Sequence, residues 1–291
     1  MALENALPRR NLKDFRKYLP PGIPNTIHLR PASSPEIISI IREIKNTMGN
    51  RHVLLSRLIK ENLEFLAHPF SLIFIKIISS GCYPDALKIA LFKAGDKTDP
   101  NNYRPISLLP LLNKIFEKLM HKCLATFLEA HNVFMDTHFG FRKNKSTHDA
   151  VNNLLTSIYK AFDEKVYLGA VFIDLSKAFD TVPHNLLLKK LEPYGIRGVA
   201  LDLIESYLSN RKQYVTLNGV QSTTQDINIG VPQGSVLGPL LFLMHINDLP
   251  NAVRNLKSIL FADDTTLFTK NKNAQELCAT ISDDMLCLKE W

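Results

Sequence analysis

Ser258-Ile259-Leu260-Phe261-Ala262-Asp263-Asp264-Thr265-Thr266-Leu267-Phe268-Thr269 decides how the rest of the chain is read. Two short runs of apolar, aromatic and Thr residues flank two adjacent carboxylates. Each run has strand composition and the Asp pair marks a tight turn, so the stretch predicts a hairpin. Asp also serves turns for purely local reasons, because its side chain bonds nearby backbone. Here Ile259-Leu260-Phe261 and Leu267-Phe268 are apolar enough to seat the hairpin on a core. Like charges crowded at such an edge resist ionising together unless a cation neutralises them. A divalent metal would do so, and it needs a further carboxylate from elsewhere in the chain.

That carboxylate is Asp174. Val166 to Ile173 is a nearly continuous apolar run, the pattern of a strand buried on both faces, and Asp174 ends it. Asp174, Asp263 and Asp264 then supply hard oxygen ligands suited to Mg²⁺. Two such ions can activate an attacking hydroxyl and stabilise the leaving oxygen in an in-line displacement at phosphorus.

Composition frames this chemistry. The 291 residues are 45% hydrophobic and 22% charged, ordinary for a globular protein with a sizeable core. A formal charge of +7 suits a polyanionic partner, although many basic proteins bind none. Cys82, Cys123, Cys278 and Cys287 show no CxxC spacing and sit in apolar patterns, which reads as buried free thiols in a reducing compartment. The N-terminus lacks the apolar core of a signal peptide. The apolar windows Leu66–Ile78 and Leu237–Ile246 are short or interrupted by His68, Lys76 and His245, so neither reads as a membrane span.

Outward from the hairpin, the chain begins with a basic, Pro-containing lead-in to about Ala32. Ser33-Ser34-Pro35-Glu36 then caps a helix striped by Ile37, Ile40, Ile41 and Ile44. A second helical stretch, about Val53 to Ser79, breaks near Pro69. Leu87–Lys93 and Tyr103–Ser107 flank a turn-rich loop and predict a two-stranded finger with Lys93 and Arg104 near its stem. Arg grips phosphate oxygens bidentately and Lys as a point charge, although two basic residues on a hairpin are more often a solvated face. An amphipathic helix follows through Leu112, Ile115, Phe116, Leu119, Met120, Leu124 and Phe127. The loop Phe139-Gly140-Phe141-Arg142-Lys143 alternates aromatic and basic residues. It suits a nucleic-acid strand or, equally, a loop that anchors its Phe residues in the core. Further helices are expected at about 185–191 and 199–209, with a hairpin turn at Asn218-Gly219. Gly230-Val231-Pro232-Gln233-Gly234-Ser235 opens another helix, and Leu277, Ile281, Met285 and Leu288 stripe a last one.

Five blocks in order resemble the reverse transcriptase of non-LTR retrotransposons, of the jockey and chicken-repeat LINE type. They are Tyr103-Arg104-Pro105-Ile106-Ser107, Phe139-Gly140-Phe141-Arg142, Phe172 to Asp180, Gly230 to Ser235, and Phe261-Ala262-Asp263-Asp264. The resemblance covers about residues 30 to 291. It implies an α+β right-hand polymerase fold, with fingers and a mainly antiparallel, helix-backed palm at 86–291. Residues 1–85 are a basic lead-in and helical extension. It implies Asp174 and Asp263 as principal ligands of two Mg²⁺ ions, Mn²⁺ being the substitute, with Asp264 as a third carboxylate.

The resemblance also implies that Lys93 and Arg104 grip the triphosphate, that Phe179 closes off the sugar's 2′ side, and that Gln233 and Gly234 lie against the nucleotide. Arg142 and Lys143 would contact nucleic acid. Asp180 and Asp248 read as turn caps, outside the metal set. The implied function is RNA-directed DNA polymerase, using an RNA template, a DNA primer and dNTP, without a membrane and in the nucleus. The alternatives are a repurposed fragment that only binds nucleic acid, and an RNA-dependent RNA polymerase, against which Phe179 argues. Three departures stand out. Lys45 to His52 lacks an Asp-Gly loop, Ala90-Leu91-Phe92 looks shortened, and the text stops before the family's primer grip and thumb, as in a truncated copy of weak processivity.

Overall fold

A computed structural model describes residues 15–44, 57–87, 90–92, 107–108, 111–217 and 220–291. In chain order the elements are α1 (Ser34–Glu43), α2 (Leu63–Ser80), β1 (Ala90–Phe92), β2 (Ser107–Leu108), α3 (Leu111–Ala130), α4 (Thr147–Asp163), β3 (Tyr167–Asp174), α5 (His184–Leu191), α6 (Val199–Leu208), β4 (Arg211–Leu217), β5 (Val220–Gln221), β6 (Gln225–Ile227), α7 (Gly238–Ile246), β7 (Lys257–Phe261), β8 (Asp264–Asn271) and α8 (Ala274–Glu290). Helix and sheet are mixed, and every strand pair but one is antiparallel among the described residues. The chain forms two compact units. The first takes Met1–Gly22, Met135–Leu175 and Ile246–Trp291; the second takes Ile23–Phe134 and Ser176–His245.

In the second unit, Ser33 caps α1 by accepting the Glu36 N–H, and Ile37, Ile40, Ile41 and Ile44 are buried as their spacing requires. Helix α2 runs straight through Pro69, where the sequence suggested a break. Proline has no N–H to give the carbonyl of Phe65, but Phe65 lies exposed in the first turn, where water can serve that carbonyl. Among the described residues α2 is the one helix long and apolar enough to cross a membrane. Its face of Phe70, Phe74, Ile77 and Ile78 is nevertheless buried. Phe74 meets Phe116 at 5.1 Å, Phe116 meets Tyr83 at 5.7 Å, and Tyr83 meets Tyr207 edge-on at 5.0 Å. This aromatic chain ties α2, α3 and α6 together.

The sheet of this unit runs β2-β1-β4-β5, with β6 on β4 and β1 parallel to β4. The expected finger strands therefore pair, Leu91 with Leu108 and Phe92 with Ser107. Lys93, Arg104, the Lys45–His52 loop and the Asn218-Gly219 turn lie outside the described residues.

In the first unit the sheet order is β3-β8-β7, and β3 is an edge. Gly169 on β3 lets α8 come close: a Cβ there would stand 2.7 Å from Ile281 Cδ1. Val253, Leu256 and Leu267 fill the space beneath α8 with Ile173, Met285 and Leu288. On the opposite face Phe139, Ala150, Ile259 and Phe268 form a second cluster, joined by Leu154 of α4 and Leu168 of β3. This cover is partial, so the expectation of a strand buried on both faces is corrected: Phe172 is 72% exposed. Val151, Leu155, Tyr159 and Phe162 likewise face outward on α4. The cysteines are free, but Cys82 and Cys278 are exposed and Cys123 and Cys287 half-buried, so they are not the buried thiols that their apolar surroundings suggested.

Asp284 of α8 holds the entry to the β7–β8 hairpin. It is buried, and one of its oxygens accepts the backbone N–H groups of Arg254, Asn255 and Leu256 at 3.0, 2.7 and 2.9 Å. Asp284→Ala strands three N–H donors and should cost about 3 kcal/mol or more, read by urea unfolding. Asp284→Asn keeps one acceptor and should cost less.

Candidate active site

The register of β3 on β8 pairs Ile173 with Thr265 and Asp174 with Asp264. That of β7 on β8 pairs Phe261 with Asp264, leaving Ala262 and Asp263 as a two-residue turn. Cross-strand partners project from one face with Cα atoms about 4.5–5.5 Å apart. Asp174 and Asp264 thus leave the sheet side by side, both exposed, while Asp263 is half-buried in the adjoining turn. Among the described residues no three His, Cys, Asp or Glu side chains are already arranged around a metal position. The donor set still fits Mg²⁺, a hard cation usually held by one or two carboxylates, with water and substrate phosphate completing its shell.

The hairpin is clamped by the segment before α4. Leu260 N–H donates to Thr137 O at 2.9 Å and Phe139 N–H to Leu260 O at 2.8 Å, so His138 runs parallel to the β7 backbone. Gly140 then lies against the turn, and a Cβ on it would fall 2.3 Å from the amide nitrogen of Ala262. Ala262 itself takes φ 57, left-handed backbone that costs an L-residue about 1–2 kcal/mol. Phe139 is a core anchor, whereas Phe141 and Lys143 are exposed on the same loop. The Arg142 guanidinium donates to Met135 O at 3.0 Å, which braces the loop from within. Lys145 covers the Phe139 ring at 5.0 Å.

In the second unit, Phe179 and the Gly230–Ser235 loop form one piece. Val231 N–H donates to Phe179 O at 2.7 Å and Gly230 N–H to Val182 O at 2.8 Å. Gly230 sits at φ 91 with its missing Cβ 2.8 Å from Asp180 O, so any side chain would collide with backbone. The Phe179 ring stacks on Phe242 of α7 at 4.7 Å. Gln233 is half-buried and its amide donates to Asp180, while Gly234 is exposed at φ 81. His184 Nε2 lies 2.6 Å from Gly230 O, and burial lowers its pKa.

The far end of that loop is held by Glu117, a residue that the sequence reading passed over. Its side chain is fully buried on α3. One oxygen accepts from Val236 N at 2.6 Å and Leu237 N at 3.3 Å; the other accepts from Tyr207 OH at 3.0 Å and Asn113 Nδ2 at 3.1 Å. Burial raises the Glu117 pKa, and these bonds together with the charge of Arg211 oppose that rise. Arg211, itself buried, lies over the Tyr207 ring at 4.8 Å. The signal was available: Asn113 and Glu117 are polar members of the 113-117-120-124-128 stripe of α3 that is otherwise apolar.

A family model described as reverse transcriptase (RNA-dependent DNA polymerase) matches residues 93–290. Among similar proteins is the probable RNA-directed DNA polymerase from transposon X-element of Drosophila melanogaster, 31% identical, with 87% of this chain and 29% of that protein aligned. The one from transposon BS of the same organism is 33% identical over 91% of this chain and 31% of that protein. The RNA-directed DNA polymerase from mobile element jockey is 29% identical over 99% and 33%. The chain spans about a third of the length of these curated relatives.

Two outcomes test this geometry. Gly140→Ala must push the hairpin turn aside, so amide exchange at residues 258–266 should accelerate by at least about tenfold, with α3 and α6 unchanged. His138 is fully buried, neither ring nitrogen has a hydrogen-bond partner among the described residues, and burial, then the Arg142 charge, lowers its pKa from 6.5 to about 4. The fold therefore refuses a proton that the unfolded chain accepts. Its stabilising contribution is full above pH 6.5 and shrinks as pH falls towards 4, by about 3 kcal/mol in all. His138→Phe should flatten that part of the pH profile of unfolding.

Proposed function

Because the chain belongs to the reverse transcriptase family, we propose that it is an RNA-directed DNA polymerase of a non-LTR mobile element, extending a DNA 3′ end on an RNA template with deoxynucleoside triphosphates. On this reading residues 86–291 are the fingers and palm of a right-hand fold. The observation that carries it is the pairing of Asp174 with Asp264 at adjoining strand ends, next to the Ala262-Asp263 turn. Asp174, Asp263 and Asp264 would hold Mg²⁺, with Mn²⁺ as its substitute. Bound metal supplies charge stabilisation at phosphorus and a more acidic attacking hydroxyl.

The chain's own groups do the rest. Asp174 and Asp264 stand side by side at an exposed strand end, with Asp263 in the adjoining turn, where a triphosphate can reach them. Phe179, its ring steadied by Phe242, rejects a 2′-hydroxyl by occupying its place. Gln233 and Gly234 contact the nucleotide. Lys93 and Arg104 balance the triphosphate charge, and Arg142 and Lys143 meet nucleic-acid phosphates, so binding falls steeply with salt. A nuclear site of action follows from the same resemblance. A second reading, nucleic-acid binding without synthesis, draws on the lack of a ready three-ligand cluster among the described residues.

Primer extension by the purified 291-residue chain on an RNA template separates the two. At most weak, non-processive extension should appear with Mg²⁺. Asp174→Asn or Asp263→Asn should reduce it by more than the roughly 10–100-fold typical of outer-shell partners of a metal. Phe179→Ala should admit ribonucleotides. Retention of the RNA–DNA hybrid with no extension in Mg²⁺ or Mn²⁺ selects the second reading; extension that survives both Asp changes refutes the carboxylate site.

A further inference from the structure

The segment before α1 borders a groove that the chemistry above does not use. Residues 25–33 carry no regular structure. The start of the segment is pinned. Ile23 N–H donates to Pro193 O at 3.0 Å and Ile27 N–H to Gly195 O at 2.9 Å, while the Arg197 guanidinium reaches Ile23 O at 2.7 Å and Thr26 Oγ1 at 3.0 Å. Gly195, at φ 85, permits this approach, since a Cβ there would fall 2.6 Å from Asn25 O. The next anchor is Ala32 O, which accepts from Ser71 Oγ. Between the anchors, the main-chain groups of His28, Leu29 and Arg30 have no hydrogen-bond partner among the described residues. Pro31 biases Arg30 towards extended backbone.

Along an extended chain, alternate side chains point to opposite sides, yet Thr26, Ile27, His28 and Leu29 all border the groove. The main chain itself therefore forms its edge. The groove encloses about 600 Å³, within the range of a ligand site. Ile75 and Ile78 of α2 and Val199 of α6 give it aliphatic walls, and Val199 is 48% exposed. Its charge is one-sided. Among the described residues Arg197 and His28 line it and no Asp or Glu does. Helix α6 begins there at Gly198 with no side-chain cap, so the partial positive charge of its first turn adds to that of Arg197.

We propose that this groove binds an extended, acidic peptide segment of a partner protein. Its main chain pairs with residues 28–30, an aliphatic side chain enters the groove, and a carboxylate faces Arg197 and the start of α6. An unpaired row of N–H and C=O groups is a template for strand addition, and side-chain pockets beside it give selectivity. A nucleic-acid strand fits less well. No Phe, Tyr or Trp among the described residues lines the groove to stack a base, and the Arg197 donors already engage the chain's own carbonyls. None of these residues takes part in the polymerase reading.

The probe is a library of random short peptides displayed on phage, selected on the full chain. Enriched sequences should combine aliphatic and acidic residues, and a synthetic peptide of the enriched sequence should bind. Val199→Asp places a negative charge in the groove, yet an acid in the first turn suits a helix. That variant should therefore fold, and bind the peptide about tenfold or more weakly. Methylating the peptide's amide nitrogens one at a time should weaken binding by about fivefold at alternate positions and not between them, as a paired strand edge requires. The proposal is overturned if selection enriches nothing over the Val199→Asp protein, if the enriched peptides carry no acid, or if methylation has no alternating effect. Displacement of the peptide by single-stranded RNA would reassign the groove to nucleic acid. Self-association of the wild type that Val199→Asp abolishes would assign it to a second copy of the chain. Either result also overturns the proposal.

Discussion

The register of β3 against β8 is the constraint on which the candidate chemistry depends. Side chains alternate faces along a strand, so a slip of one residue would turn Asp174 into the core and bring Ile173 out. The register is fixed by what lies beneath the sheet. Thr265 and Leu267 are buried on the side facing α8, with Ile173 packed against the same cluster, and Gly169 admits Ile281. Each of these would be misplaced by the slip that misplaces Asp174. The exposed carboxylate pair is therefore specified by buried neighbours, not by any attraction between the carboxylates, which repel one another.

The second unit solves a similar problem with polar groups. A loop rich in Gly and Pro has few side chains with which to hold its own shape. Glu117 takes its far end by two backbone N–H groups, and His184 approaches its near end at Gly230. A buried carboxylate is costly unless fully bonded, and here four donors and the Arg211 charge meet it. Such a network tolerates few alternative arrangements, which is what a loop presenting one amide and one exposed glycine needs.

Much of this was legible in the sequence because it is local. The hairpin follows from its apolar flanks, although its turn falls on Ala262-Asp263 and not on the Asp pair, Asp264 opening β8; Asp174 follows from the run that it ends, and the α1 cap from Ser33. What escaped involves partners distant in the chain. Asp180 looks like any turn residue until Gln233 is placed beside it, and Glu117 looks like one more charge on an amphipathic helix until Tyr207 and Val236 arrive. An apolar run also cannot reveal whether a second layer covers it. Phe172 reads as core in the sequence and is exposed in the fold. Pro69 reads as a break because its local cost is visible, whereas the exposed first turn that absorbs the cost is not.

The interleaving of the two units along the chain has a consequence for how the protein is made. The second unit has all its residues once His245 has left the ribosome, whereas the first still waits for the stretch that follows. Synthesis runs from the N-terminus, and pairings between distant segments are slow to form because the intervening chain must first be confined. Until β7 and β8 emerge, β3 has no strand partner in its sheet, and its apolar residues, Phe172 among them, stand open to other chains. The joining of Asp174 to Asp264 is thus a late event, and a nascent chain halted before it would carry an ordered loop unit and an unpaired, aggregation-prone edge.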